Sequence, residues 1–230
     1  MQFPSPLLEG RLIKRYKRFL ADIETKDGII TAHCPNTGSM RSCSTPGSKV
    51  YLSRSDNPKR KYPYTLEMVQ DNHTWVGVNT ARTNDLVAEA ILDNNIKELA
   101  GVDALRREVK VSAHSRLDLA VSRDSQVTFI EVKNCSLTEN GTAMFPDAKT
   151  SRGAKHLEEL VELKRQGNGA CIFFLVQRLD AESFAPASHI DPEYSDKLAL
   201  AVAAGVQLLV YQAAVSPTAI EVMRSLPYCL

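Results

Sequence analysis

No stretch of this 230-residue chain is apolar for long enough to cross a bilayer. The longest runs, at 170–176 and 198–204, are seven residues each, against the ~20 that a spanning helix needs. Cysteine is scarce as well. Cys34, Cys43, Cys135, Cys171 and Cys229 form an odd set without a C-x-x-C pair, which argues against a disulfide framework and for a cytoplasmic protein. Glycine and proline, 11 of each, are too few for collagen or a low-complexity tract. Neither a basic n-region nor an apolar h-region follows Met1, so no secretory leader is expected. Nor is there an excess of one charge: 28 Lys and Arg face 27 Asp and Glu. What remains is a soluble composition, 43% hydrophobic, in a length that allows one or two domains with cores of their own.

The small net charge hides an uneven distribution. Residues 1–80 carry 12 Lys and Arg against 7 Asp and Glu, whereas 81–230 carry 16 against 20. A basic lobe joined to a mildly acidic one suggests two units with different tasks. Patterning agrees. Alternation at 18–23 and 28–33, then short strand-like runs at 49–54, 64–70 and 74–79, are separated by turn signals at Asn36-Thr37-Gly38, Pro46-Gly47 and Asp56-Asn57-Pro58. Such an order fits a small β-barrel or sandwich.

Near Asn79 the pattern changes. Asn84 or Asp85 can cap a helix bearing Leu86, Val87, Ala90 and Ile91. Strands are expected at 108–112, 116–122 and 127–133, then a polar stretch at 136–146. A helix at 150–165 leads to a buried strand at 171–176, a helix at 192–204 and a last strand at 206–211.

The chemistry concentrates in two neighbouring strands. In Arg116-Leu-Asp-Leu-Ala-Val121, period 2 sets Asp118 opposite the three apolar positions; in Phe129-Ile-Glu-Val-Lys133 it sets Glu131 and Lys133 together. The tight turn Arg123–Gln126 makes the strands antiparallel, so Asp118 and Glu131 fall at neighbouring positions. Two carboxylates held together repel unless a cation joins them. Oxygen ligands of this kind suit Mg²⁺ or Mn²⁺, and Lys133 can stabilise charge developing on a phosphate. Glu89 on the preceding helix is the third candidate donor, with Glu108 as its alternate. His33, Cys34 and Cys43 lack a suitably spaced fourth zinc ligand, and His73, His114 and His189 have no partner in sequence.

For nucleic acid, two basic runs stand out: Lys14, Arg15, Lys17 and Arg18 around Tyr16, and Lys59, Arg60 and Lys61 before Tyr62 and Tyr64. Arg152 and His156, four apart on one helix face, could add phosphate contacts. Contacts of this kind track a backbone and carry little sequence information.

Tyr16-Lys-Arg-Phe-Leu20, His33-Cys-Pro-Asn-Thr-Gly-Ser-Met40, Arg60-Lys61, Ser115-Arg-Leu-Asp118, Ile130-Glu-Val-Lys133, Phe145-Pro-Asp-Ala148, Arg152-Gly and Lys155-His156 together resemble the sugar fermentation stimulation protein A (SfsA) family, along essentially the whole chain. The resemblance implies a two-domain α+β / α/β protein. An OB-like β-barrel would span 1–80, and a PD-(D/E)XK nuclease-like mixed sheet flanked by helices would span 81–230. It implies non-specific DNA binding, a role in regulating maltose metabolism, and nuclease-type residues at Asp118, Glu131 and Lys133, with Glu89 as a further metal donor. Leu117 stands where the superfamily motif has proline, which leaves the metal carboxylate intact. The resemblance also implies a helix-turn-helix at about 197–216, but that segment's 206–215 portion has no Arg or Lys and reads as a core strand. Two functions stay open: a DNA-binding regulatory protein that retains the metal site, or an active Mg²⁺- or Mn²⁺-dependent nuclease.

Overall fold

The computed structural model describes residues 1–112 and 115–230; His114 lies outside them. Six strands form the first lobe: β1 (Leu8–Tyr16), β2 (Leu20–Thr25), β3 (Gly28–His33), β4 (Lys49–Arg54), β5 (Tyr64–Asp71) and β6 (Thr74–Gly77). They lie in the order β3-β2-β1-β4-β5-β6, and a parallel bridge between His33 and Thr65 joins β3 to β5. That bridge closes five strands into a barrel. Alternation sorts the side chains: Ala21 and Ile23 of β2 point into the barrel while Leu20 and Asp22 face outward. Leu12, Ile23, Val50, Leu52, Leu66 and Val69 fill the interior.

The second lobe begins with α1 (Thr83–Leu92), followed by β7 (Ala104–Lys110), β8 (Arg116–Arg123), β9 (Gln126–Cys135), β10 (Leu137–Glu139) and β11 (Thr142–Phe145). It continues through α2 (Ser151–Arg165), β12 (Gly169–Val176), β13 (Ser183–Pro186), α3 (Pro192–Ala203), β14 (Gln207–Val215) and β15 (Ile220–Ser225). The main sheet has the order β15-β14-β12-β9-β8-β7, with β9, β12 and β14 parallel and the outer strands antiparallel. Helices cover both faces, which explains the unbroken apolar run of β12. Cys171, Phe173 and Leu175 pack towards α1, whereas Ile172, Phe174 and Val176 pack towards α2 and α3. Among the described residues no helix is long and apolar enough to cross a membrane.

The 206–215 segment is the buried strand β14, parallel to β12, and not the second half of a helix-turn-helix. The strands expected from the sequence include no counterpart of β1 or β15, nor of three small strands. The 136–146 stretch holds the β10–β11 hairpin, which β13 extends by parallel pairing. Strand β7 also starts at Ala104, four residues before the sequence places it.

Buried charges tie the lobes together. Glu67 of β5, with no exposed surface, accepts from Arg82 Nε at 2.7 Å and from Asn79 Nδ2 at 2.8 Å. Arg178, 1% exposed, reaches Asp180 at 2.6 Å, the Ser136 carbonyl at 2.8 Å and Asp71 of β5 at 3.0 Å. Removing one partner from such a cluster leaves the others desolvated and unpaired. Arg178→Ala is therefore expected to cost about 3 kcal/mol or more, read as a lowered urea midpoint at unchanged slope.

Candidate functional site

The β8–β9 ladder runs from Arg123 opposite Gln126 to Leu119 opposite Ile130. Beyond that pair the strands part, and the Asp118 carboxylate sits in the gap. One of its oxygens accepts the Val132 N–H at 2.7 Å, and the other accepts from Asn84 Nδ2, at the start of α1, at 2.8 Å. Glu131 is 2% exposed. Its Oε1 accepts from Lys133 Nζ at 2.5 Å and is hydrogen-bonded by His156 Nδ1 of α2. Arg152, one turn earlier on α2, points Nε at His156 Nε2 from 3.5 Å, on the side of the ring away from the carboxylate.

These groups form the floor of a cleft of about 630 Å³ between the lobes. The barrel contributes Arg15, Arg18 and residues 36–39 to its walls; residues 146–150 with Arg152 supply the opposite side. Asp147 binds the two walls to each other. It accepts from the Met40 N–H at 3.0 Å and from Ser39 Oγ at 3.4 Å. Asn36-Thr37-Gly38 is a tight turn, with Asn36 Oδ1 accepting the Gly38 N–H at 2.8 Å, and it is also an inter-lobe contact, packed so closely on Asp147 that no Cβ fits at Gly38.

The two acids differ in proton affinity. Burial, with the nearby Glu131 charge, pushes Asp118 up to about 6, well above an ordinary aspartate. Burial alone would raise Glu131 too, but the His156 hydrogen bond and the Lys133 charge outweigh it and hold that carboxyl low.

Asp118, Glu131 and Lys133 thus meet as the strand pattern expects. Glu89 does not join them. It pairs with the Met1 ammonium at 2.7 Å and is absent from the cleft lining. Asn84 takes the place nearest Asp118 instead, since five residues further along α1 is about 140° round the helix. His156, 7% exposed at the edge of the cleft, is hydrogen-bonded to Glu131, a contact the sequence did not suggest. The sequence offered Asn84 only as a helix cap and Asp147 only within the Phe145–Ala148 segment; their contacts here were not foreseen, because the partners lie 34 and 107 residues away.

The basic runs divide by role. Lys14 pairs with Asp22 at 3.7 Å and lies over Tyr16. Arg15 donates to the carbonyls of Arg18, Asn36, Gly38 and Ser39 at 2.7–3.2 Å, and so shapes the cleft wall. Lys17 is exposed and Arg18 lines the cleft. Lys59, Arg60 and Lys61 lie outside the cleft lining; Arg60 donates to Thr65 Oγ1 at 3.1 Å and Lys61 lies over Tyr62. Arg15→Ala, which strips four carbonyls of a donor, should destabilise the barrel by roughly 2 kcal/mol. Arg18→Ala should leave stability within about 0.5 kcal/mol. Paired thermal melts separate the two.

Among the described residues no group of three or more His, Cys, Asp or Glu side chains is arranged to hold a metal. The pair on the cleft floor nevertheless suits a hard cation. Glu131 Oε2 is buried with no hydrogen-bond partner, and Asp118 carries a charge that its surroundings leave undercompensated. A divalent ion bound by two carboxylates keeps several waters or takes oxygens from a phosphate.

A closed five-stranded barrel, joined to a mixed sheet with helices on both faces, defines a two-lobe α+β protein with an OB domain at its N-terminus. Family models match both lobes: "SfsA N-terminal OB domain" at residues 13–78 and "Sugar fermentation stimulation protein RE domain" at 81–219. The chain belongs to the SfsA family. It is 58% identical to a sugar fermentation stimulation protein homolog of Desulfotalea psychrophila, covering 100% of this chain and 95% of that one. A homolog of the same name from Geotalea uraniireducens is 50% identical, with 98% of each chain covered. The solved structure of Pyrococcus furiosus SfsA in complex with Ca²⁺ superposes with a TM-score of 0.92 at 28% identity, covering 100% of this chain and 98% of that one.

Proposed function

We propose that this protein binds nucleic acid with little sequence preference and cleaves its phosphodiester backbone with the help of a divalent cation. One observation carries the reading. Two carboxylates and a lysine converge on the floor of an open cleft with cationic walls, and one buried Glu131 oxygen there has no partner. In this reading Asp118 and Glu131 hold the cation, Mg²⁺ or Mn²⁺. Such an ion, when bound, neutralises phosphate charge and lowers the pKa of its water. The Ca²⁺ in the Pyrococcus furiosus complex supports a divalent ion in this family.

The chain's own groups supply the rest. His156 fixes the orientation of Glu131 and keeps it ionised. Lys133 holds an ammonium beside the same oxygen, where it can stabilise charge developing on a phosphate. Arg18, Lys149 and Arg152 stand on the walls at positions fit to hold the backbone either side of the reacting phosphate.

Incubation of end-labelled DNA with the protein and Mn²⁺ tests this, with EDTA as the control. Cleavage that EDTA stops and that Glu131→Ala removes is the expected result. Binding without cleavage, at any divalent ion tried, would instead favour a regulatory DNA-binding role of the kind sugar metabolism could use.

A further inference from the structure

The β1–β2 connection is costly as built. Residues 17–19 link Tyr16 to Leu20, and both Lys17 and Arg18 adopt positive φ, 49° and 63°. Glycine or asparagine is the cheap choice there. Arg15 clamps the turn by donating to the Arg18 carbonyl at 2.9 Å, and the Phe19 carbonyl accepts the Cys34 N–H at 2.7 Å. The outcome is a rigid tip that sets Arg18 on the cleft wall and leaves Phe19 47% exposed beside it. Next to an arginine on the cleft wall, and on a turn whose carbonyls are held, this ring offers a free face on which a base can stack.

Strand register shows where that tip leads. Leu20, which follows Phe19, pairs with His33, and His33 pairs with Thr65, so all three share the outer face of the barrel. Arg60 donates to Thr65 Oγ1 at 3.1 Å, and Thr65 bridges to His33, whose protonation is disfavoured first by burial and then by the Arg60 charge. Phe19 continues that register opposite Cys34, at the end of the barrel beside Arg18, and His33 and Arg60 follow it on the outer face, so the four mark a strip from the cleft mouth over two inter-strand spacings, roughly 10 Å at about 4.8 Å each. Lys17, Lys59 and Lys61 flank it, exposed. The outward acid nearest it on β2, Asp22, is already engaged by Tyr16, Thr31 and Lys14.

We infer that this strip carries single-stranded DNA into the cleft, with an unpaired base stacked on Phe19 and the backbone held by Arg18 and Arg60. The inference rests on the cleft being a nucleic-acid site and names the form of its substrate. A duplex, whose bases are stacked on one another, offers no free face to an isolated Phe ring, whereas each base of a single strand does. The cleft, at about 630 Å³, has the size of a small-molecule pocket and suits a strand end better than a double helix.

Fluorescence anisotropy with a labelled 12-nucleotide strand, alone or annealed to its complement, tests this in Ca²⁺ without any need for cleavage. The parent should bind the single strand at least about tenfold more tightly than the duplex. Phe19→Ala should weaken single-strand binding by roughly 5- to 150-fold and leave duplex binding and the salt slope alone. Phe19→Trp should restore it, and Arg60→Ala should lower the log–log salt slope by ~0.7. Equal affinity for both forms, or a Phe19→Ala variant that binds the single strand as the parent does, would overturn the inference. Failure of cleavage alone would overturn only the proposed reaction, since this readout involves none.

Discussion

Lys133→Met is expected to slow DNA cleavage by about 10²- to 10³-fold, the usual cost of losing one preorganised donor at a site of developing charge. Methionine keeps the stem and removes only the ammonium, so packing against α2 should survive. The lysine is 14% exposed and touches Glu131 Oε1 at 2.5 Å, so its charge acts at the cleft floor and not in open solvent. The effect should appear in the chemical step. Single-turnover rates should fall, while affinity for DNA, which depends on the walls and the barrel strip, stays within about threefold. Glu131→Gln should go further, because it removes the proposed cation ligand and the anchor of both Lys133 and His156. A Lys133→Met rate within a few-fold of the parent would assign the lysine a structural role and remove the mechanistic part of the proposal.

Asp118→Asn should raise stability while it abolishes activity. The aspartate titrates at about 6, against 3.8 in the absence of its surroundings, so folding favours its protonated form. The sign follows from linkage. Below pH 4 both states are protonated and the charge costs nothing; as pH rises through about 6 the folded protein must carry an ill-placed anion and loses stability. A neutral asparagine escapes that loss. One amide oxygen can still accept the Val132 N–H, and a flipped Asn84 can accept from the new NH₂. The expected gain at pH 8 without divalent ion is about 2 kcal/mol, shrinking to nothing near pH 4. Added divalent ion should reverse the order, stabilising the parent and not the variant. Urea titrations at three pH values with and without Ca²⁺ check both signs.

The two acids also predict how cation binding depends on pH. The cation needs Asp118 ionised, so binding below pH 6 must release a proton, and apparent affinity should fall about tenfold per pH unit there. Glu131, held low by His156 and Lys133, should add no second step in that range.

Much of this architecture could be read from local pattern. The alternation of β3 and β4 appears at the positions the sequence gives, and the period of α2 matches to within a residue at its start. The β8–β9 turn made the meeting of Asp118, Glu131 and Lys133 foreseeable, because register over a short hairpin leaves few alternatives. What could not be read depends on distant partners. Strands β10, β11 and β13 are three or four residues long; β10 and β11 form a local hairpin, and β13 joins it across some 40 positions. Glu89 and Asn84 lie on one helix, and only its tertiary setting decides which faces Asp118. His156 looked like a surface group because Lys155 and Arg152 surround it in sequence; its burial comes from docking α2 over β9. Arg15 counted as one more cation in a basic run until its four carbonyl partners gave it a structural task.

Calorimetric titration of Ca²⁺ into the protein at pH 8, before any nucleic acid is added, bears most directly on the central claim. The expected result is saturable binding that both Asp118→Asn and Glu131→Gln remove and that Glu89→Gln leaves intact. Binding unchanged by the first two substitutions, or lost only with the third, would contradict it.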